Sequence, residues 1–290
     1  MLPKNEKRVV NKSSRVKIWL YGAPFSGKTT LADQFPDVLM LNTDGNINSF
    51  TAPLVEIKER VNGRQIIDTW TVFNETINEL QKGSEFKTIV VDLVEDTFEA
   101  CRRYCYKKLD IEHESDNSFK AWDYVRNEYL TTMKRLLTLD YNIILISHED
   151  MSKDITKKTG DKVTSIRPNI QDKLANKLAG MVDIVARVVA DGNNRTLNFK
   201  SDDVIFGGGR LKLTKTQIPL SYNALMSVYG SNKETEEPVN QDVVNNATTE
   251  DEEIARLEAE EMETEDGETP KEVQAEEVEQ PVRRTRRVRG

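Results

Sequence analysis

The stretch from Gly22 to Thr29, Gly-Ala-Pro-Phe-Ser-Gly-Lys-Thr, restricts the possible folds of this chain more than any other feature. Ahead of it, "RVKIWLYG" (15–22) is a short β-rich run ending at a glycine, and after it "GKTTLADQF" (27–35) reads as a helix. Glycines at both ends of such a turn let the backbone bend so that successive N–H groups point inward. The following helix N-terminus adds a field that favours anions. The spacing G-x-x-x-x-G-K-[ST] between a strand and a helix is therefore a phosphate cradle. It predicts a nucleotide loop made of Gly22, Ala23, Pro24, Phe25, Ser26, Gly27, Lys28, Thr29 and Thr30. Lys28 supplies positive charge at the terminal phosphates, and the Thr29 hydroxyl is placed to ligate Mg²⁺. The competing reading is a chance glycine turn before an ordinary helix.

A site of this kind needs a second acid to hold the metal's shell. "KTIVVDLVED" (87–96) provides one, because four consecutive β-branched residues run into Asp92. A carboxylate at that strand end would face the phosphates, so Thr29 and Asp92 are the expected Mg²⁺ residues and ATP the expected ligand. The alternative is an acid that merely starts a loop.

Further apolar runs at 38–44, 141–149 and 182–190 read as strands, with shorter ones near 195–200 and 211–214. Residues 54–70 hold a hairpin turning at Asn62-Gly63. Helices are predicted at 73–83, 121–139 and 169–180. The second carries Trp122, Val125, Tyr129, Met133, Leu136 and Leu137 on one stripe. Strands alternating with helices imply an α/β fold, with a mostly parallel sheet covered on both faces.

Charge divides the chain. Residues 231–281 carry 19 acidic and three basic side chains, and 282–290 carry five arginines, leaving 33 basic against 30 acidic residues in 1–230. The segment beyond Gly230 lacks aromatic residues and cannot bury enough surface to offset ordering entropy, so an acidic disordered tail is predicted over 231–290, with an arginine-rich end. Residues 1–14 read as an extension and 15–230 as one ATPase domain. No leader peptide or membrane span is expected, and a cytoplasmic chain fits best. Cys101 and Cys105 lie one helical turn apart near His113. That is too sparse a set for a metal site, and half-buried packing is the simpler reading.

From 15 to 215 the order of these signals resembles the RecA-type recombinase core. It resembles more closely the phage-encoded RecA-like ATPases grouped with single-strand annealing proteins. "VLMLNTDG" carries the resemblance first: it places Asp44 where that family has a catalytic glutamate that activates water. Aspartate is one methylene shorter, and a turn-forming Asp before Gly45 is the alternative. Glu95 and Glu149 are rival bases. "IILISHED" comes second, with His148 at the position of the γ-phosphate sensor, where bacterial recombinases have glutamine. Third is the segment after it, similar to a mobile DNA loop. Lys153, Lys157, Lys158, Lys162 and Arg167 would contact phosphates there, or the segment is a solvated hairpin turning at "TGD".

The resemblance implies an ATPase of DNA recombination, repair or replication that anneals strands or exchanges them. Lys28, Asp44 and His148 would be its catalytic residues. Its partners would be single-stranded DNA, further copies of itself in a filament or ring, and a single-strand-binding protein. Lys200, Arg210 and Lys212 could act across a subunit interface. The acidic tail could compete with DNA for the basic body. Two readings of other classes stand against this one: a nucleotide-gated switch or loader with little turnover, and a P-loop small-molecule kinase.

Overall fold

The structure is a computed structural model that describes residues 15–156, 160–211 and 213–231. The expected extension 1–14, the acidic tail and its arginines beyond 231, and Lys157, Lys158 and Lys212 lie outside the described residues.

In chain order the elements are β1 (Lys17–Gly22), α1 (Lys28–Ala32), β2 (Val38–Asn42), β3 (Leu54–Glu56), β4 (Arg60–Asn62), β5 (Gln65–Ile67), α2 (Thr69–Gln81), β6 (Thr88–Asp92), α3 (Val94–Leu109), a 3₁₀ turn (Glu114–Asn117), α4 (Ser118–Leu137), β7 (Asn142–Asp150), β8 (Asp154–Thr156), β9 (Lys162–Thr164), β10 (Arg167–Pro168), α5 (Asp172–Ala179), β11 (Ile184–Asp191), β12 (Asn194–Asn198), β13 (Gly208–Gly209), β14 (Gln217–Pro219) and α6 (Tyr222–Ser231). The main sheet has the order β14-β12-β11-β1-β7-β6-β2-β3. The six strands from β11 to β3 are mutually parallel, and β12 and β14 continue the sheet antiparallel.

Alternation along the central strands sorts side chains between two layers. Trp19, Tyr21, Val91 and Leu145 face one apolar layer, with α2, α3, α4 and α5 supplying Phe73, Cys101, Tyr129 and Leu178. Ile18, Leu20, Val90 and Ile146 face the other, with Leu31 of α1 and Leu225 of α6. Both faces are covered, which explains why the central strands read as unbroken apolar runs rather than alternating ones. The predicted α/β architecture therefore holds.

Several boundaries differ. The first helix is only Lys28–Ala32, because Gln34 and Phe35 turn back toward Leu31 and Ala32 before Pro36. No strand occupies 211–214 among the described residues; the sheet is instead extended by β13 and β14. Trp122 is not part of the buried stripe: it is 36% exposed, whereas Ala121, Val125, Tyr129, Met133 and Leu136 are buried. One residue is 100° of helix, which swings Trp122 out of the stripe that Ala121 begins. The hairpin β4–β5 forms with Asn62 paired to Gln65, so Gly63 and Arg64 make its turn.

Candidate functional site

The C-terminal ends of β1, β7 and β6 meet at one rim of the sheet. β7 lies between the other two, with Gly22 registered to His148 and Asp92 to Ile146. The loop after β1 is tight. A Cβ on Gly22 would stand 2.4 Å from the Val188 carbonyl oxygen of β11, so the close approach of the two strands requires glycine. Gly27 ends the loop at φ 102°, a left-handed conformation that glycine adopts without penalty. Phe25 projects outward, 90% exposed.

Lys28 is buried, and its ammonium donates to the carbonyls of Gly22 (2.9 Å) and Ala23 (2.8 Å). Burial lowers its pKa, against the carboxylates of Asp92, Glu95 and Glu149, which raise it. Thr29 Oγ1 donates to Asp92 Oδ2 at 2.8 Å, joining the loop to the end of β6. Burial pushes the Asp92 carboxyl up to about 6; the Thr29 hydrogen bond opposes this and the charge of Asp44 adds to it. A carboxylate in this condition gains from a cation beside it, and a hydroxyl and a carboxylate oxygen in contact are a hard-oxygen donor pair suited to Mg²⁺. Ser26 Oγ is buried in the loop with no hydrogen-bond partner among the described residues.

Around this pair the sequence left three candidate bases open, and their surroundings differ. Asp44 lies beyond the end of β2 and is exposed. Its Oδ1 accepts from Asn42 Nδ2 and from the Asn46 N–H, both at 2.8 Å, as in a turn. Glu149 is engaged by Arg187 at 2.8 Å, a pairing that nothing in the sequence signals because the two residues sit on different strands. Glu95, in the first turn of α3, gives Oε1 to the backbone N–H of His148 (2.8 Å) and to its Nδ1 (2.9 Å), while Oε2 is buried without a partner among the described residues. The Glu95 bond raises the His148 pKa, and partial burial opposes it. The sequence named both residues without joining them. Nothing local to either residue in the sequence joins them.

Thr43 ties the neighbouring backbone: it accepts from the Leu93 N–H at 2.7 Å, and its hydroxyl lies 3.0 Å from the Asp92 carbonyl and from Asp96 Oδ2. A cavity of about 680 Å³ opens beside Asp44 and Asp96 and is lined further by Arg103, Tyr104 and Lys107.

The segment after His148 forms the hairpin β8–β9. Lys153 and Arg167 both pair with Asp172, at 3.0 and 2.8 Å, and Arg167 also lies over the Phe206 ring. Lys162 is exposed on β9. Of the three residues considered for a neighbour's site, Lys200 pairs with Asp202 and Arg210 donates to the Gly180 carbonyl. Cys101 and Cys105 are core residues of α3, 3.9 Å apart, both fully buried rather than at the surface.

A family model described as an AAA domain matches residues 14–211. No curated protein matches the chain. No helix among the described residues is long and apolar enough to cross a membrane.

Proposed function

We propose that this chain, which belongs to the AAA-domain family of P-loop ATPases, binds ATP with Mg²⁺ and hydrolyses it, and that single-stranded DNA stimulates turnover. The observation that carries the hydrolytic part is the junction of loop and strand. Thr29 and Asp92 are in contact, and three residues on, at the start of α3, Glu95 presents a buried carboxylate oxygen with no partner among the described residues.

Thr29 and Asp92 would hold Mg²⁺, which would supply positive charge to the reacting phosphates. Lys28 has a third donor beyond the two carbonyls it holds, and it can turn from those carbonyls to the terminal phosphate. The backbone N–H groups of the loop other than Pro24 would orient the phosphate chain. Glu95 Oε2 is free to take a proton from an attacking water, while His148 fixes the other oxygen. Positioned general bases contribute about 10²–10⁴-fold. His148 lies two residues before the end of β7, and the chain continues from there into the β8–β9 hairpin, so a change at Glu95 has a short covalent route to that segment. A cavity of about 500 Å³ at the start of α5, lined by Phe98, Trp122, Arg126, Asp172 and Lys173, offers an aromatic ring beside cationic side chains, a feature that single-strand sites use. The partners that the resemblance implies, a single-strand-binding protein and further copies of the chain, belong to the same reading.

The test is steady-state ATP hydrolysis with and without single-stranded DNA for the wild type, Lys28→Ala, Glu95→Gln and Asp44→Ala. The expected result is DNA-stimulated turnover that Lys28→Ala abolishes and Glu95→Gln lowers by about 10² or more. Turnover indifferent to DNA would remove the polynucleotide from the reading. A nucleotide-gated switch is the second reading, favoured by the local bonds of Asp44. It predicts ATP binding with no turnover in any variant.

A further inference from the structure

The space where Gly27 would carry a side chain is already filled. A Cβ there would meet Leu220 Cδ2 at 2.9 Å, Arg195 Nη1 at 3.0 Å and Arg195 Cδ at 3.4 Å. An arginine from β12 therefore lies along the last glycine of the phosphate loop. Its root is fixed on both sides: Arg195 pairs with Ala190 of β11, and its carbonyl accepts from the Leu220 N–H at 3.0 Å. Its head is not fixed. Among the described residues no carboxylate lies within ion-pair distance of Arg195, whereas Arg187 is held by Glu149 and Arg167 by Asp172.

A guanidinium without an acidic partner has its forked donors available, and these match phosphate oxygens two at a time. Beside Gly27, whose own N–H belongs to the cradle, it would reach phosphates that a nucleoside diphosphate and triphosphate share. From this placement we infer that Arg195 is a nucleotide-binding residue of this chain, donating to the phosphates held by the loop. The inference rests on the nucleotide reading given above. It assigns to the antiparallel extension of the sheet a share in holding the ligand, in addition to covering α6. Gly27 is glycine for two reasons at once, its backbone angle and the arginine that occupies its side.

The experiment is titration of the full chain with fluorescent ADP and ATP, for the wild type, Arg195→Met and Arg195→Lys, at two salt concentrations, beside ligand-free melting curves. Methionine keeps an aliphatic stem against Gly27 and Leu220 but removes the charge. The expected result is that Arg195→Met melts like the wild type, yet binds both nucleotides about tenfold or more weakly and with a smaller salt dependence. Arg195→Lys should recover part of the loss. If Arg195→Met melts lower, the nucleotide-induced rise in its melting temperature decides the matter, and a rise as large as that of the wild type overturns the inference. Affinity within twofold of the wild type for Arg195→Met overturns it as well and leaves the nucleotide reading standing. A wild-type chain that binds neither nucleotide overturns both.

Discussion

Glu95 spends one carboxylate oxygen on two groups of His148, and that economy has a measurable signature. The hydrogen bond holds the imidazolium form, so the folded-state pKa of His148 lies above its usual value of 6.5. Stability from the pair is fully present below the unfolded histidine's pKa and is lost as pH rises through the folded value. The chain has two histidines, so both can be followed by proton NMR. Glu95→Gln should lower the His148 pKa; an unmoved His148 would show that the pair does not form in solution. A second prediction concerns Gly22. An added Cβ would press on the Val188 carbonyl of a central strand, which cannot yield without moving β11. Gly22→Ala should cost about 1–3 kcal/mol in urea unfolding, besides weakening nucleotide binding. The glycines, Lys28, Thr29 and Asp92 were legible because phosphate chemistry prescribes residue type and spacing together. The Glu95–His148 contact joins the first turn of α3 to β7 across 53 residues of sequence, and nothing local to either residue announces the other.

Among the elements, α2 shows how a small polar group starts a helix. Asp68 accepts from the Thr71 N–H at 3.0 Å and from its hydroxyl at 2.8 Å, satisfying one of the donors that open the helix. Asp68→Ala should therefore lose about 1 kcal/mol, read as a lower midpoint with an unchanged slope in denaturant. The sequence reading began this helix at 73 and missed its first turn, although Asp68 preceding Thr69 is an N-cap signal. It missed α3 as well. That helix buries Val94, Phe98, Cys101 and Cys105 at helical spacing, but acids and bases fill the positions between them and mask the period. The strands were easier. Val38–Asn42, Thr88–Asp92 and Asn142–Ile146 are buried on both faces, so their sequences contain little else but apolar residues. β13 and β14, of two and three residues, are set by pairing with distant strands, which gives no run long enough to read.

At the scale of the whole molecule the question is where the folded domain ends. Sequence composition places the change after Gly230. The described core needs everything up to α6. Leu225 of α6 is fully buried, Ile218 of β14 is nearly so, and Leu220 walls the phosphate loop at Gly27. Two shortened chains separate these contributions. A chain ending at Ser231 keeps both apolar layers and the loop's wall, so it should melt with the full-length protein and bind nucleotide with the same affinity. A chain ending at Thr216 loses Ile218 and Leu225, each worth about 1.5–3 kcal/mol of burial, and uncovers Leu197 beneath them. That loss is a large part of the stability of an ordinary domain, so the shorter chain should melt far lower or fail to fold. Equal melting of the two shortened chains would mean that β14 and α6 are ornaments on a domain closed by β12. A lowered melting temperature for the chain ending at Ser231 would mean that the acidic segment contributes to the fold.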